Sequence, residues 1–434
     1  MLHTQLLPTI PDLVALAAQA PHTFPVLLQS SGSTGIDLLL ALPREPRLYF
    51  EGDGAQFVSD LASLPLAPVP HPGSLPFIGG WFVYLGYELL HTFEPSVGTP
   101  LPDPFPLAAL VRHPAAIVVD RDRQTATLVA ETTTELAELT AALATTAGWQ
   151  AQPLTLQHIE EDDPARFTEA IGRIHDYIRD GDVFQVNLSR QWQATLNPDV
   201  CPADVFAALR QANPAPFSAL VQFGAAGSIV SSSPERLVRV TPEGVADTRP
   251  IAGTHPRAAD PVEDASLKAR LIGDLKERAE HVMLIDLERN DLGRICRPGS
   301  VEVNELMTVA SYATVHHIES NVRGRLRDGL TPADVFRALF PGGTITGCPK
   351  VRCMQIIREL ESSPRRAYTG SLVYINRDGS MDTSILIRTF MQENNRLRFR
   401  AGAGIVIDSQ PERELQETRH KARGLLRALG VEQA

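Results

Sequence analysis

Two regions separate in the pattern of apolar and polar positions, residues 1–150 and residues 160–430. In the first, the short apolar runs 24–30 and 36–42 predict strands on either side of a Ser-Gly turn. Pro-rich connections at 64–76 and 92–106 flank residues 77–90, where the paired Gly79 and Gly80 allow close packing or a bulge. Residues 111–119 and 125–129 predict a hairpin across Asp120-Arg121-Asp122-Arg123, and an Ala/Thr-rich helix is predicted near 134–147. No catalytic constellation occurs here. The region reads as scaffold, with a small-ligand pocket around residues 28–30 as the second reading.

In the second region Asp163 caps a helix that has Pro164 at its first position. Phe167, Ile171, Ile174 and Ile178 repeat at helical spacing. A strand over 183–188 puts Phe184, Val186 and Leu188 on one face and Gln185 and Asn187 on the other. Strand material at 219–232 leads into Ser233-Pro234-Glu235-Arg236. A helix over 264–285 has Leu267, Leu271 and Leu275 as its buried stripe, and a polar loop is predicted over 286–300. Strands at 301–308 and 314–323 follow, and alternation puts only one of His316 and His317 on any one face. After a helix over 349–361, strands at 368–375, 380–392 and 396–407 precede a final helix opened by Pro411. Asn376-Arg377-Asp378-Gly379 links the first two of these as a hairpin.

Between two of these helices lies Pro341-Gly342-Gly343-Thr344-Ile345-Thr346-Gly347-Cys348-Pro349-Lys350. Its glycines allow positive φ and close approach of a ligand. Backbone N–H groups, a helix start and Lys350 together suit an anion. The spacing is not that of a Walker loop.

Composition narrows the class. The chain has 434 residues, 43% hydrophobic and 21% charged, with a net charge of -11. That balance speaks against nucleic acid or an anionic membrane as partner, so an anionic ligand needs a local basic pocket. No apolar run reaches the roughly 18 residues of a membrane span. The N-terminal segment lacks a basic signal-peptide start, and the four cysteines lack CxxC spacing, which reads as a reduced, cytoplasmic protein.

Candidate chemistry is concentrated in acidic pairs. Glu277 and Glu280 sit three apart on one predicted helix, and Glu414 and Glu417 do so on another. A lone pair is also what a solvated face looks like, but two pairs that converged would suit Mg²⁺, which takes oxygen ligands. Arg388 in an apolar stretch is either edge-exposed or a bidentate carboxylate partner. Glu235 suits a general acid if burial raises its pKa. His317 is either an acid/base or a core histidine. These features alone describe a magnesium-dependent enzyme acting on a small polycarboxylate.

The wording of the chain then resembles a known family. GDVFQVNLSR, SSSPERL, TRPIAGT, KERAEHVMLIDLERNDLGR, VHHIESNVRG, FPGGTITGCPK, MDTSILIRT, AGAGIVIDS and QETRHKA occur in this order. They are similar to the motifs of the chorismate-utilising enzymes. The resemblance implies an α/β fold of the α+β type, a large sandwich of two antiparallel sheets with helices outside. It implies Mg²⁺ ligands at Glu280 and Glu417, with Glu277 and Glu414 in support. It implies carboxylate binding by Tyr368, Arg388 and the Gly404 backbone, with Lys421 at the same end. His317 matches the active-site histidine, Glu235 the general acid, and Gly343 and Thr344 the loop that closes on substrate.

Gln185 stands where water-using members carry a lysine base, which implies ammonia as nucleophile, delivered by a separate glutamine amidotransferase subunit. GGTITGCPK and LLQSSG resemble the aminodeoxychorismate synthase branch, which serves 4-aminobenzoate and folate synthesis. Ala252, where many of that branch carry a nucleophilic lysine, resembles the anthranilate synthases instead. A non-catalytic chorismate-binding or regulatory protein is the reading from another class.

Overall fold

The computed structural model describes residues 2–431 apart from 31–33, 68, 70–74, 145–147, 259 and 312–314. The predicted Ser-Gly turn, parts of the 64–76 connection and the ends of the predicted 134–147 helix and 314–323 strand fall outside those residues.

Apolar side chains on both faces of many strands dictate a four-layer arrangement, because each sheet must be covered twice. In Gly80–Leu85, Phe82 and Tyr84 point into the space between the sheets, while Trp81, Val83 and Leu85 point outward under helices. In Ile36–Ala41, Leu38 and Leu40 face the other sheet, and Leu39 packs outward against a helical layer. Among the described residues, one antiparallel sheet has 12 strands and the other 10. Outer helices including Pro202–Ala212 and Pro411–Ala428 cover the larger sheet, and Gly54–Ala62 and Pro332–Leu339 cover the smaller.

Both sheets draw strands from both sequence regions. Val26–Gln29 pairs with Phe217–Gln222 in one, and Gly80–Leu85 pairs with Ser371–Asn376 in the other. No described helix is long and apolar enough to cross a membrane.

Three elements differ from expectation. The predicted 111–119 strand is split at Pro114 into Ala108–His113, in the smaller sheet, and Ala115–Asp120, in the larger. Proline has no N–H to give a ladder, so the chain changes sheets there. The predicted 264–285 helix is two, Pro261–Gly273 and Leu275–Gly293. Asp274 adopts extended backbone between them, and its carboxylate accepts the Glu277 N–H at 3.2 Å, a cap that starts the second helix. Leu271 is therefore buried while Leu275 is 78% exposed, and the predicted loop is helical as far as Gly293. The predicted 380–392 strand is Met381–Ile385 in the smaller sheet and Thr389–Glu393 in the larger.

A buried ion cluster ties these layers to the glycine loop. The Glu361 carboxylate accepts from Arg365 at 2.6 and 2.9 Å, from Arg400 at 3.0 Å, and from the Ser189 N–H and hydroxyl at 2.9 and 2.8 Å. Arg365 also donates to the carbonyls of Asn187, at 2.7 Å, and Ile345, at 3.3 Å. Burial by itself raises the Glu361 pKa; the two arginines and the hydrogen bonds outweigh it and hold the carboxyl below its ordinary value. Its contribution to stability is thus present above the unfolded-state pKa and is lost as pH falls through the folded one. Glu361→Ala should cost about 3–5 kcal/mol, because it leaves two buried guanidinium groups unpaired. Urea denaturation at neutral pH checks this, and the deficit should shrink in acid.

Candidate active site

The chain passes from the larger sheet to the smaller between Ser228–Ser233 and Arg236–Val240, and returns between Met381–Ile385 and Thr389–Glu393. These crossings run side by side. Ser231 pairs with Thr389 on one side and Arg236 with Ser384 on the other. Between them the Ile385 N–H donates to the Glu235 carbonyl at 3.0 Å, and the Ser232 N–H to the Arg388 carbonyl at 3.1 Å. Pro234 interrupts one ladder, and Arg388 holds a left-handed φ of 53° in the other. Arg388 thus lies in a bend, not within a strand as its apolar neighbours predicted.

Glu235 is 8% exposed, and its Oε1 accepts the Thr344 hydroxyl at 2.6 Å. Burial pushes its carboxyl up to about 7, against the opposing influence of Thr344, Arg388 and Lys421. Arg388 is half-buried, and burial lowers its pKa while Glu235 raises it. Among the described residues its guanidinium makes no hydrogen bond or ion pair. Arg365 and Arg400, by contrast, are fully engaged by Glu361.

The glycine loop is held against this crossing. A Cβ on Gly343 would collide with Leu287 of the Leu275–Gly293 helix. Gly347 has φ 129° and pairs with Val186, so the loop joins the larger sheet as a two-residue strand. Asn187 donates from its backbone to the Thr346 carbonyl at 2.9 Å and from its side chain to the Thr344 carbonyl at 3.1 Å. Of the three loop glycines only Gly347 uses positive φ. Lys350 is not available to an anion: its ammonium is bonded to Asp291, and to the Leu339 carbonyl at 3.3 Å.

Gln185 lies beside Gly404, where a Cβ would stand 2.7 Å from its Nε2, and its Oε1 is buried without a hydrogen-bond partner among the described residues. Tyr368 is in a turn before Ser371–Asn376, under the Arg365 guanidinium at 5.5 Å. Its hydroxyl is beside Gly402, two residues from Gly404, and burial pushes its pKa up to about 12.

His316 and His317 have different partners, as alternation requires. His316 Nε2 is 3.0 Å from Asp264. His317 Nδ1 is 3.2 Å from the Gly253 carbonyl, so that nitrogen carries the proton. Burial, chiefly, lowers the His317 pKa, and Arg388 adds to this. Ala252 precedes Gly253 and pairs with Ile318. A Cβ on Gly253 would stand 2.9 Å from Glu277 Oε2, so Glu277 reaches the same backbone.

At the other end Glu417 Oε1 binds Lys421 Nζ at 2.7 Å, and the Lys421 charge acts on Glu235. Charge influence therefore links His317 to Arg388, Arg388 to Glu235 and Glu235 to Lys421, with Glu277 against the Gly253 backbone at one end and Glu417 bonded to Lys421 at the other. Glu280 lies one helical turn beyond Glu277, and Glu414 one turn before Glu417. Among the described residues no three His, Cys, Asp or Glu side chains stand close enough to hold a metal ion. The four glutamates that the sequence singles out would offer carboxylate oxygens only. That suits a hard cation completed by water and substrate oxygens, and does not suit structural zinc.

Sequence reading passed over Glu288, which it assigned to a polar loop; the side chain is 5% exposed on a helix. The pocket proposed at residues 28–30 corresponds to a cavity of about 330 Å³ lined by Leu28, Gln29, Ser30, Phe217, Tyr374 and others. Arg236 and Ser384, which pair on one side of the crossing, line it as well.

Comparison with known proteins adds to this geometry. The aminodeoxychorismate synthase component 1 of Klebsiella aerogenes is 40% identical over 383 residues, spanning 85% of this chain and 81% of the relative. The anthranilate synthase component 1 of Streptomyces coelicolor is 38% identical over 384 residues, spanning 83% and 74%. The crystal structure of anthranilate synthase component I from Streptococcus pneumoniae has a TM-score of 0.79 at 32% identity, covering 91% of this chain and 93% of that one. The menaquinone-specific isochorismate synthase of Escherichia coli, 21% identical, shares the fold with a TM-score of 0.76 over 99% of this chain and 94% of that one. The family match, described as chorismate binding enzyme, runs from residue 47 to residue 427 through both sheets and the crossing between them, and the chain belongs to that family.

Proposed function

We propose that the protein is component I of an aminodeoxychorismate synthase, converting chorismate and ammonia to 4-amino-4-deoxychorismate and water. The observation that carries a chorismate-aminating reading is Arg388. A guanidinium withdrawn from bulk water without an anionic partner is costly, and a substrate carboxylate supplies the partner bidentately. Beside it Glu235, with Oε1 engaged by Thr344, retains Oε2 for a proton at neutral pH. Glu235 gives that proton to the 4-oxygen of chorismate as the C4–O bond breaks. Ammonia supplies the electron pair of the new C–N bond, and the proton it releases balances the one given to the leaving hydroxyl. Gln185, beside Gly404, has no basic nitrogen with which to activate water. Tyr368 and Lys421 complete the carboxylate end, His317 presents a neutral imidazole, and Thr344 and Gly343 close the loop.

Glu280 and Glu417, supported by Glu277 and Glu414, would hold Mg²⁺. That ion would neutralise a substrate carboxylate and disperse charge. A glutamine amidotransferase subunit would supply ammonia in the cytoplasm. The second reading is anthranilate synthesis, in which pyruvate also leaves. Ala252 favours it, since a methyl group offers no nucleophile at a place where the first branch often has lysine. GGTITGCPK and LLQSSG favour the first reading.

Incubation with chorismate, Mg²⁺ and ammonium should yield 4-aminobenzoate once aminodeoxychorismate lyase is added; fluorescent anthranilate as the main product would overturn the first reading. In that assay Glu280→Gln and Glu417→Gln should abolish the Mg²⁺-dependent part of the rate. Arg388→Ala should raise the chorismate KM or lower kcat/KM by about 2–5 kcal/mol, the cost of losing one partner of a buried charge pair. A change under tenfold would remove Arg388 from the site. With free ammonia held constant, kcat/KM should fall as pH rises through about 7, because the raised Glu235 carboxyl loses its proton there. Glu235→Gln should lose that limb along with most of the rate.

A further inference from the structure

Thr344 reaches Glu235 from a loop rich in glycine. It stands in the single 3₁₀ turn Gly343–Ile345, and residues without a Cβ flank it at 342, 343 and 347. Such a backbone has wide freedom unless something outside it holds it. The larger sheet supplies a hold. Asn187, in the strand Gln185–Leu196, donates from Nδ2 to the Thr344 carbonyl at 3.1 Å. Its main chain is engaged on both sides: the N–H donates to the Thr346 carbonyl at 2.9 Å, and the carbonyl accepts from Arg365 at 2.7 Å. Those two bonds use backbone atoms and survive a change of side chain. The bond to Thr344 needs the amide.

With its backbone fixed, Thr344 donates its hydroxyl to Glu235 Oε1 at 2.6 Å. The amide, the threonine and the acid are thus joined in series. Asn187 also lies over the opposite end of the site. It pairs with Gly404, where a Cβ would stand 3.4 Å from its Oδ1 and 2.7 Å from Gln185 Nε2. Gln185 and Asn187, two apart on one strand face, therefore stand side by side against that backbone. We propose that Asn187 is a positioning residue for the acid: its side-chain amide fixes Thr344, whose hydroxyl holds Glu235 Oε1 and leaves Oε2 as the atom that gives the proton. This rests on the reading in which Glu235 protonates the leaving hydroxyl. Without the amide, Thr344 is loosened and Glu235 loses a donor. A hydrogen bond to the charged form favours that form, so its loss raises the pKa. The charged groups that act with Glu235 are Arg388 from the crossing, Lys421 from the last helix and Glu288 from Leu275–Gly293, and the substitutions below leave all three in place.

A double-mutant cycle on the whole protein, with ammonium as nitrogen source, tests this. Asn187→Leu should lower kcat/KM about 10–100-fold, the scale of a small misplacement of a reacting group. It should also move the alkaline limb of kcat/KM upward by about one pH unit, the worth of a hydrogen bond to a charged group. Thr344→Val should do the same, and the double variant should be no worse than Thr344→Val alone, because both changes break one series of bonds. Losses that multiply, or a limb that stays in place, would make Asn187 a structural residue and overturn the proposal. A second arm needs no turnover. The protonated-carboxyl infrared band that Glu235→Gln removes is titrated without substrate, and Asn187→Leu should carry it to higher pH. A band left at its wild-type pH would overturn the proposal whatever the rates. A shifted band in a protein that does not aminate chorismate would leave Asn187 its positioning role and remove the reaction proposed above. Should Asn187→Leu not fold, Asn187→Ala, which adds no bulk, carries the same expectations.

Discussion

Glu361 takes a carboxylate out of water between two guanidinium groups, and the positions of the glycine loop and of Tyr368 depend on that arrangement. Desolvating three charges costs several kcal/mol each, and it is tolerated only where every lone pair and N–H finds a partner. Here Arg365 and Arg400 share the carboxylate, and Ser189 fills its remaining positions. The donors left over on Arg365 reach the Asn187 and Ile345 carbonyls. One cluster thus joins Gln185–Leu196, Arg396–Ile405, the loop that carries Thr344 and the turn that carries Tyr368. A shift in any of them would unpair a buried charge.

Against that background the unspent groups stand out. Arg365, Arg400 and Lys350 each have a buried carboxylate. Arg388 makes no hydrogen bond or ion pair among the described residues; burial acts on it as well, offset only by the Glu235 charge. The reason is topological. Inside a ladder, a side chain faces either the core or a helix layer, and its neighbours are fixed by register. Where two adjacent segments change sheets, Glu235 and Arg388 leave both ladders and meet in the gap. The same gap keeps water away, which raises the Glu235 pKa and strengthens whatever charge interactions a ligand makes there.

The helix Leu275–Gly293 links this gap to the periphery. Its first turns carry Glu277 and Glu280, its middle supports Gly343 through Leu287, and its last turns bury Glu288 and Asp291. Asp274 makes this possible. By capping a new helix it turns the Leu267–Leu271–Leu275 stripe aside and lets the following residues present a polar face to the site. The stretch after residue 285 looks like a loop by composition because the partners of Asp291 and Arg297, Lys350 and Asp328, lie on elements distant in sequence.

Period-two alternation, proline positions and caps are local properties, and they determined most element types without further help: the Asp163 cap, the Pro411 helix start and the glycine loop between two helices were all legible. The ordered motifs likewise determined the family and its two-sheet fold. Where strands change sheets was not legible, because a run such as 380–392 has the same apolar pattern whether it stays in one sheet or crosses to another. Nor was the fate of the charges. Lys350 and Arg388 look alike as isolated cations in apolar surroundings, and only the tertiary structure decided that Asp291 neutralises one while the other makes no ion pair among the described residues. Burial and pairing belong to the folded surroundings of a residue, and its own stretch of sequence does not carry them.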